Sequence, residues 1–128
     1  MTAAIDDAGL TPADIAVVYA SANATTVLDR VEAQAFGQVF GAHRPLVTSI
    51  KGAIGECGAS GAASCVAALL CGAQRGVPPI AGLRDVDPEI ADLDFVQERQ
   101  AMSGPTVLVN SIASGGALFS VVLSVASP

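Results

Sequence analysis

From Cys57 to Gln74 the chain carries no charged residue and no histidine. The stretch is built mainly of Ala, Gly, Ser and Cys, and it begins within the glycine-punctuated segment KGAIGECGASG, Lys51 to Gly61. It is shorter and less apolar than the roughly 20 strongly apolar residues of a membrane span. A helix over Ala59–Ala73, buried within protein and stopped at Gly76, is the reading that fits. Lys51 and Glu56 are the only charges between Arg44 and Arg75. Charges in apolar surroundings are costly unless paired, so the two mark either a structural ion pair or a functional site. Cys57, beside Glu56, invites a nucleophile reading. It has no histidine to activate it, and a desolvated thiol has a raised pKa. Cys57, like Cys65 and Cys71, reads as a packing residue.

Composition points to a chain short of surface. It has 128 residues, 52% hydrophobic and 14% charged, where an ordinary soluble domain carries roughly 25% charged residues. One domain that buries much of itself against a partner, or one half of a larger fold, explains this, and the half is favoured. The net charge of −6 leaves no electrostatic footprint for nucleic acid, and no basic run suggests a membrane surface. The opening MTAAIDDAGLTP lacks the basic region of a signal peptide. Three cysteines without CxxC spacing and a single histidine, His43, argue for reduced thiols in a cytoplasmic protein and against a zinc site.

Along the chain, Thr2–Ala8 reads as the end of a helix, and Pro12 with Asp14 as a turn. Ile15–Ala20 and Leu46–Ser49 read as buried parallel strands. Ser21–Thr26 is a polar loop. Asp29 and Glu32 resemble a capping box ahead of a helix with Val31, Ala35, Phe36, Val39 and Phe40 at helical spacing, ended by Gly41. After the uncharged helix, Gly82–Ser103 is acidic and irregular, its Asp85–Asp94 run a solvated loop. His43 reads as exposed. Thr106–Ile112 and Ala117–Val125 read as strands around Ser114-Gly115-Gly116, an antiparallel edge hairpin. Helical crossovers between strands predict an α/β fold, a mainly parallel mixed sheet with helices on both faces. The chain opens inside a helix, so residues 1–128 read as one domain cut from, or encoded apart from, a longer fold.

The order of motifs resembles the C-terminal half of β-ketoacyl synthases, which share the thiolase fold. Asp29-Arg30-Val31-Glu32-Ala33-Gln34-Ala35 matches the family's D-x-x-E-A-x-A helix start. Phe40-Gly41-Ala42-His43-Arg44-Pro45 resembles its usual loop. Ser49-Ile50-Lys51 with Gly55 matches S-x-K-x-x-x-G-H up to the histidine, and Gly76-Val77-Pro78-Pro79 its proline turn. Asn110-Ser111 and Gly115-Gly116 match its terminal N-S-x-x-x-G-G. The resemblance implies decarboxylative condensation by a Cys-His-His set, the cysteine lying in the other half. It also implies that Ser21 and Glu56 stand where the two histidines should be, and Ser114 where a gating phenylalanine should be.

A glutamate there would repel a developing enolate, so condensation of the usual kind is not expected. The resemblance implies a structural ion pair among Lys51, Asp29 and Glu32, with Glu56 an alternative acid. Breaking such a pair when buried costs on the order of 3–5 kcal/mol. Thr25, Asn110, Ala113 and Ala117 would line a substrate tunnel. The implied role is a non-condensing, chain-length-factor-like subunit in a heterodimer. Its partners would be a ketosynthase subunit or N-terminal ketosynthase half and an acyl carrier protein, with no cofactor. The alternative is an acyltransferase half, active once joined to an N-terminal half carrying the nucleophilic cysteine.

Overall fold

The computed structural model describes residues 1–90, 92–113 and 115–125. Helix α1 (Thr2–Asp7) and a 3-10 turn (Pro12–Asp14) precede strand β1 (Val17–Tyr19). Then come α2 (Thr26–Phe40), β2 (Leu46–Thr48), the single turn α3 (Lys51–Ile54) and α4 (Ser60–Ala73). Short strands β3 (Gly76–Val77), β4 (Asp94–Phe95) and β5 (Gln100–Ala101) lead to β6 (Thr106–Ile112) and β7 (Leu118–Ser124).

Five strands form one sheet in the order β4-β2-β1-β6-β7. β1 runs parallel to β2 and β6, with Val18 opposite Val47 and Leu108. β7 closes one edge antiparallel to β6. β3 and β5 pair separately. The apolar runs are continuous because the central strands are covered on both faces. Val17, Tyr19, Val107 and Val109 point into a core with Ala68 of α4. Val18, Val47 and Leu108 point the other way, onto Ile5 of α1 and Phe36 and Phe40 of α2. The mixed, mostly parallel sheet between helices is the α/β fold expected.

Five local expectations are corrected. α2 starts at Thr26 with Thr25 as its N-cap, so Asp29 and Glu32 lie inside the helix and form no capping box. Its buried stripe is Glu32, Phe36 and Phe40, at i, i+4 and i+8, while Val31 faces solvent. α4 is not buried all round. Ser60, Ser64, Ala68 and Gly72 are covered, whereas Val66, Leu69 and Leu70 are 56%, 45% and 64% exposed. Small residues on the covered stripe let the helix lie close to the sheet: a Cβ at Gly72 would stand 2.6 Å from Val125 Cγ2. α4 closes at Gln74, and Gly76 opens β3 instead of stopping the helix. The acidic segment is no free loop, because Arg30 binds Asp87 at 2.9 Å and Glu89 at 2.7 Å, and Arg44 binds Asp92 at 2.8 Å.

Candidate functional site

Ser21 leaves the end of β1 and is 1% exposed. Every polar atom it offers is used. Its N–H donates to Glu32 Oε1 at 2.8 Å. Its carbonyl accepts from Lys51 Nζ. Its Oγ accepts from the Ile112 N–H at 2.9 Å and lies 3.4 Å from Lys51 Nζ. One residue therefore ties β1 to α2, α3 and β6.

α3 carries Lys51 at its first position, and Gly55, at φ +77°, turns the chain back toward Glu56. That return brings Glu56 Oε2 to 2.8 Å from Lys51 Nζ. The pair is lopsided: the lysine side chain is 8% exposed and the glutamate side chain 50%. Ser60 Oγ donates to the other glutamate oxygen at 3.3 Å. The hydrogen bond from Lys51 is the main reason the Glu56 carboxyl is held below its ordinary value of 4.5. Glu56 is thus an ionised acceptor at neutral pH, and Lys51 is an ammonium whose donors are engaged.

Glu32 is not the partner of Lys51. It is 2% exposed, and its Oε1 also accepts from Asn110 Nδ2 at 2.6 Å. Among the described residues, its Oε2 is buried with no hydrogen-bond partner of good geometry. Burial pushes the Glu32 carboxyl above its ordinary value, and the Asn110 and Ser21 bonds and the Lys51 charge offset part of that. Asn110 Oδ1 accepts from Ser120 Oγ at 2.8 Å, so the network reaches β7. Asp29 makes no ion pair with Lys51; its Oδ1 accepts from the Asn23 N–H at 3.0 Å. The grouping of Lys51 with Asp29 and Glu32 is therefore corrected: the ion pair is Lys51–Glu56. The geometric reason is that α2 directs Glu32 under the sheet end, toward Ser21 and Asn110.

The other expected residues separate. Thr25 is exposed, its Oγ1 donating to Asn23 Oδ1 at 2.7 Å. Ala113 and Ala117 are exposed in the β6–β7 connection. Asn110 is buried with both amide ends engaged, so it serves the network and offers nothing to a tunnel. Ser114 lies outside the described residues. Cys57 is exposed instead of packed. His43 is half-buried, its Nε2 bonded at 2.8 Å to the Ile15 carbonyl, instead of free in solvent.

Beside the cluster lies a cavity of about 560 Å³, its lining including the polar Asp29, Lys51 and Glu56 and the apolar Phe36, Val47, Ile80 and Leu83. Among the described residues no group of three His, Cys, Asp or Glu is placed to hold a metal ion. No described helix is long and apolar enough to cross a membrane. Chemically, the cluster offers acceptors and occupied donors. Ser21 Oγ is buried and already bonded, and Lys51 is paired with Glu56.

Residues 1–84 match the family described as beta-ketoacyl synthase, C-terminal domain. The 3-oxoacyl-(acyl-carrier-protein) synthase 2 of Mycobacterium tuberculosis is 41% identical over 97 residues, 75% of this chain and 23% of the relative. The tetracenomycin polyketide synthase ketoacyl synthase beta subunit of Streptomyces glaucescens is 39% identical over 115 residues, 88% of this chain and 28% of the relative. A solved structure described as the ishigamide ketosynthase/chain length factor superposes with a TM-score of 0.91 at 27% identity, over 98% of this chain and 32% of that one. The chain thus spans no more than about a third of the length of these relatives.

Proposed function

The chain belongs to the beta-ketoacyl synthase C-terminal domain family, and on that premise we propose that it is a non-condensing, chain-length-factor-like portion of a ketosynthase assembly in polyketide or fatty-acid synthesis. It pairs with an active ketosynthase subunit or an N-terminal ketosynthase half, which receives the acyl carrier protein. The observation that carries this reading is the Lys51–Glu56 pair at 2.8 Å. In the family, a histidine at this position would donate to the enolate formed as carbon dioxide leaves. An ionised glutamate has no proton to donate and adds negative charge where more is developing. Ser21, at the other histidine position, is buried with its hydroxyl already bonded to Ile112.

Two names among the relatives support the reading, a ketoacyl synthase beta subunit and a ketosynthase/chain length factor. Ala113 and Ala117, on either side of the gate position in sequence, are small and exposed. The residue at the nucleophile position of the N-terminal half discriminates the acyltransferase alternative: a cysteine there favours the enzyme. The direct test is retention of an intact ketosynthase by the immobilised chain. Retention in a fixed ratio is expected, and its absence at micromolar concentrations of both proteins refutes the pairing.

A further inference from the structure

The ammonium of Lys51 is held from two directions of unequal firmness. On one side it donates to the carbonyl of Ser21 and lies 3.4 Å from Ser21 Oγ, both fixed at the buried end of β1. Neither of these acceptors carries a formal charge. On the other side stands the carboxylate of Glu56, at 2.8 Å. Glu56 arrives on a segment that packs on little. Residues 55–59 are all exposed, Gly55 turns at φ +77°, and a Cβ at Gly55 or Gly58 would meet nothing within 4 Å.

The place where that carboxylate sits suits an anion on two independent counts. One is the Lys51 ammonium, on a side chain only 8% exposed, where solvent screens a charge less than at the surface. The other is the start of α4. This 14-residue helix opens at Ser60 behind Ala59, an N-cap with no side-chain acceptor to offer the first-turn N–H groups. A helix start favours negative charge, and Ser60 Oγ donates to Glu56 Oε1 at 3.3 Å. The Asn23 side chain adds a smaller contribution to holding the Glu56 charge. The β1–α2 loop, α3 and α4 thus converge on one carboxylate.

Asn23, Lys51, Gly55 and Glu56 also line the cavity of about 560 Å³, a size that takes small ligands. Its other charged lining residues are Asp29, Glu32, Asp85 and Asp87, all acids. Among the described residues of the lining, Lys51 is the one cation, and Glu56 already occupies it.

We infer that Glu56 is a tethered plug in a carboxylate-binding seat: Lys51, Asn23 and Ser60 at the start of α4 form a site for a short carboxylate, and the chain's own glutamate closes it. Glu56 thereby decides what the cavity accepts, turning carboxylates away and leaving entry to uncharged ligands. A tethered group competes at the effective concentration that its short tether sets, and its charge repels a second carboxylate. The inference does not rest on the proposed function. Its test contains no ketosynthase and no thioester, so either reading can fail alone.

The probe is acetate, titrated at neutral pH and constant ionic strength into the full 128-residue chain and read by backbone amide NMR shifts. Glu56→Ala is expected to bind acetate about fivefold or more tightly than wild type, with the largest shifts at Ser21, Lys51, Ser60 and Gly61. Acetamide, which has the same shape without the charge, is expected to move none of these. Because loss of the buried Lys51 can also disturb folding, the seat is probed from its milder side. Ser60→Ala in the Glu56→Ala background is expected to weaken acetate by roughly threefold or more. A purely structural ion pair would lose stability in Glu56→Ala and gain no acetate site. Equal acetate affinity in wild type and Glu56→Ala, shifts centred away from these residues, no effect of Ser60→Ala, or the same response to acetamide would overturn the inference.

Discussion

Replacing Lys51 by alanine tests whether the Lys51–Glu56 ion pair is held together from the buried side. Lys51 is 8% exposed and its ammonium donates to the carbonyl of Ser21, a residue that is itself 1% exposed. Its loss leaves that carbonyl without its donor, which costs about 1–3 kcal/mol, and strips packing from the lysine stem. Release of the desolvated ammonium offsets part of this, so the expected loss is about 2–3 kcal/mol. That is below the ~3–5 kcal/mol of a pair buried on both sides, because Glu56 is half-exposed and regains water. Glu56→Ala is therefore expected to cost no more than about 1 kcal/mol. The assay is urea unfolding of each variant followed by far-UV circular dichroism, with an unchanged m-value confirming that only stability moved. Equal costs for the two variants, or a Lys51→Ala protein within about 0.5 kcal/mol of wild type, would refute the asymmetry.

Three further outcomes follow from the same geometry. Burial raises the Glu32 carboxyl above 4.5, so the native state holds this proton more tightly than the unfolded chain. Its contribution is fully present below about 4.5 and is lost as pH rises through the raised native value; Glu32→Gln, followed by urea midpoints against pH, is expected to remove that fall. A Cβ at Gly52 would lie 2.0 Å from the Ala81 carbonyl oxygen, a backbone atom that cannot swing aside, so Gly52→Ala is expected to lower stability by about 1–3 kcal/mol, whereas open space at Gly58 leaves Gly58→Ala much milder. Cys57 is the exposed thiol, so a thiol reagent is expected to modify it first in the native protein; faster modification of Cys65 or Cys71 would contradict the loop's placement.

The sheet and its covering helices were legible because buried parallel strands write continuous apolar runs, as in Ile15–Ala20, and crossovers write helical spacing between them. The uncharged helix was legible as a helix but not in its burial. Composition says that Val66 and Leu70 avoid water in the functional state, and it does not say which molecule covers them. The role of Glu32 is hidden in the sequence because D-x-x-E is also a capping pattern. The informative sign was its i, i+4, i+8 relation to Phe36 and Phe40, an acid on an apolar stripe, which marks a buried carboxyl needing partners. Those partners, Ser21 and Asn110, lie 11 and 78 residues away, and no local pattern links them. Glu56 was legible as an acid near Lys51, because one glycine-allowed turn at Gly55 separates them.

The central claim, a retained ketosynthase half without its condensing chemistry, meets its most direct test in decarboxylation. The chain is to be assembled with a ketosynthase N-terminal half carrying the nucleophilic cysteine, and carbon dioxide release from a malonyl thioester of acyl carrier protein measured. Release no faster than from the N-terminal half alone is the expected result. Decarboxylation that depends on this chain and falls in Ser21→Ala or Glu56→Ala would contradict the account.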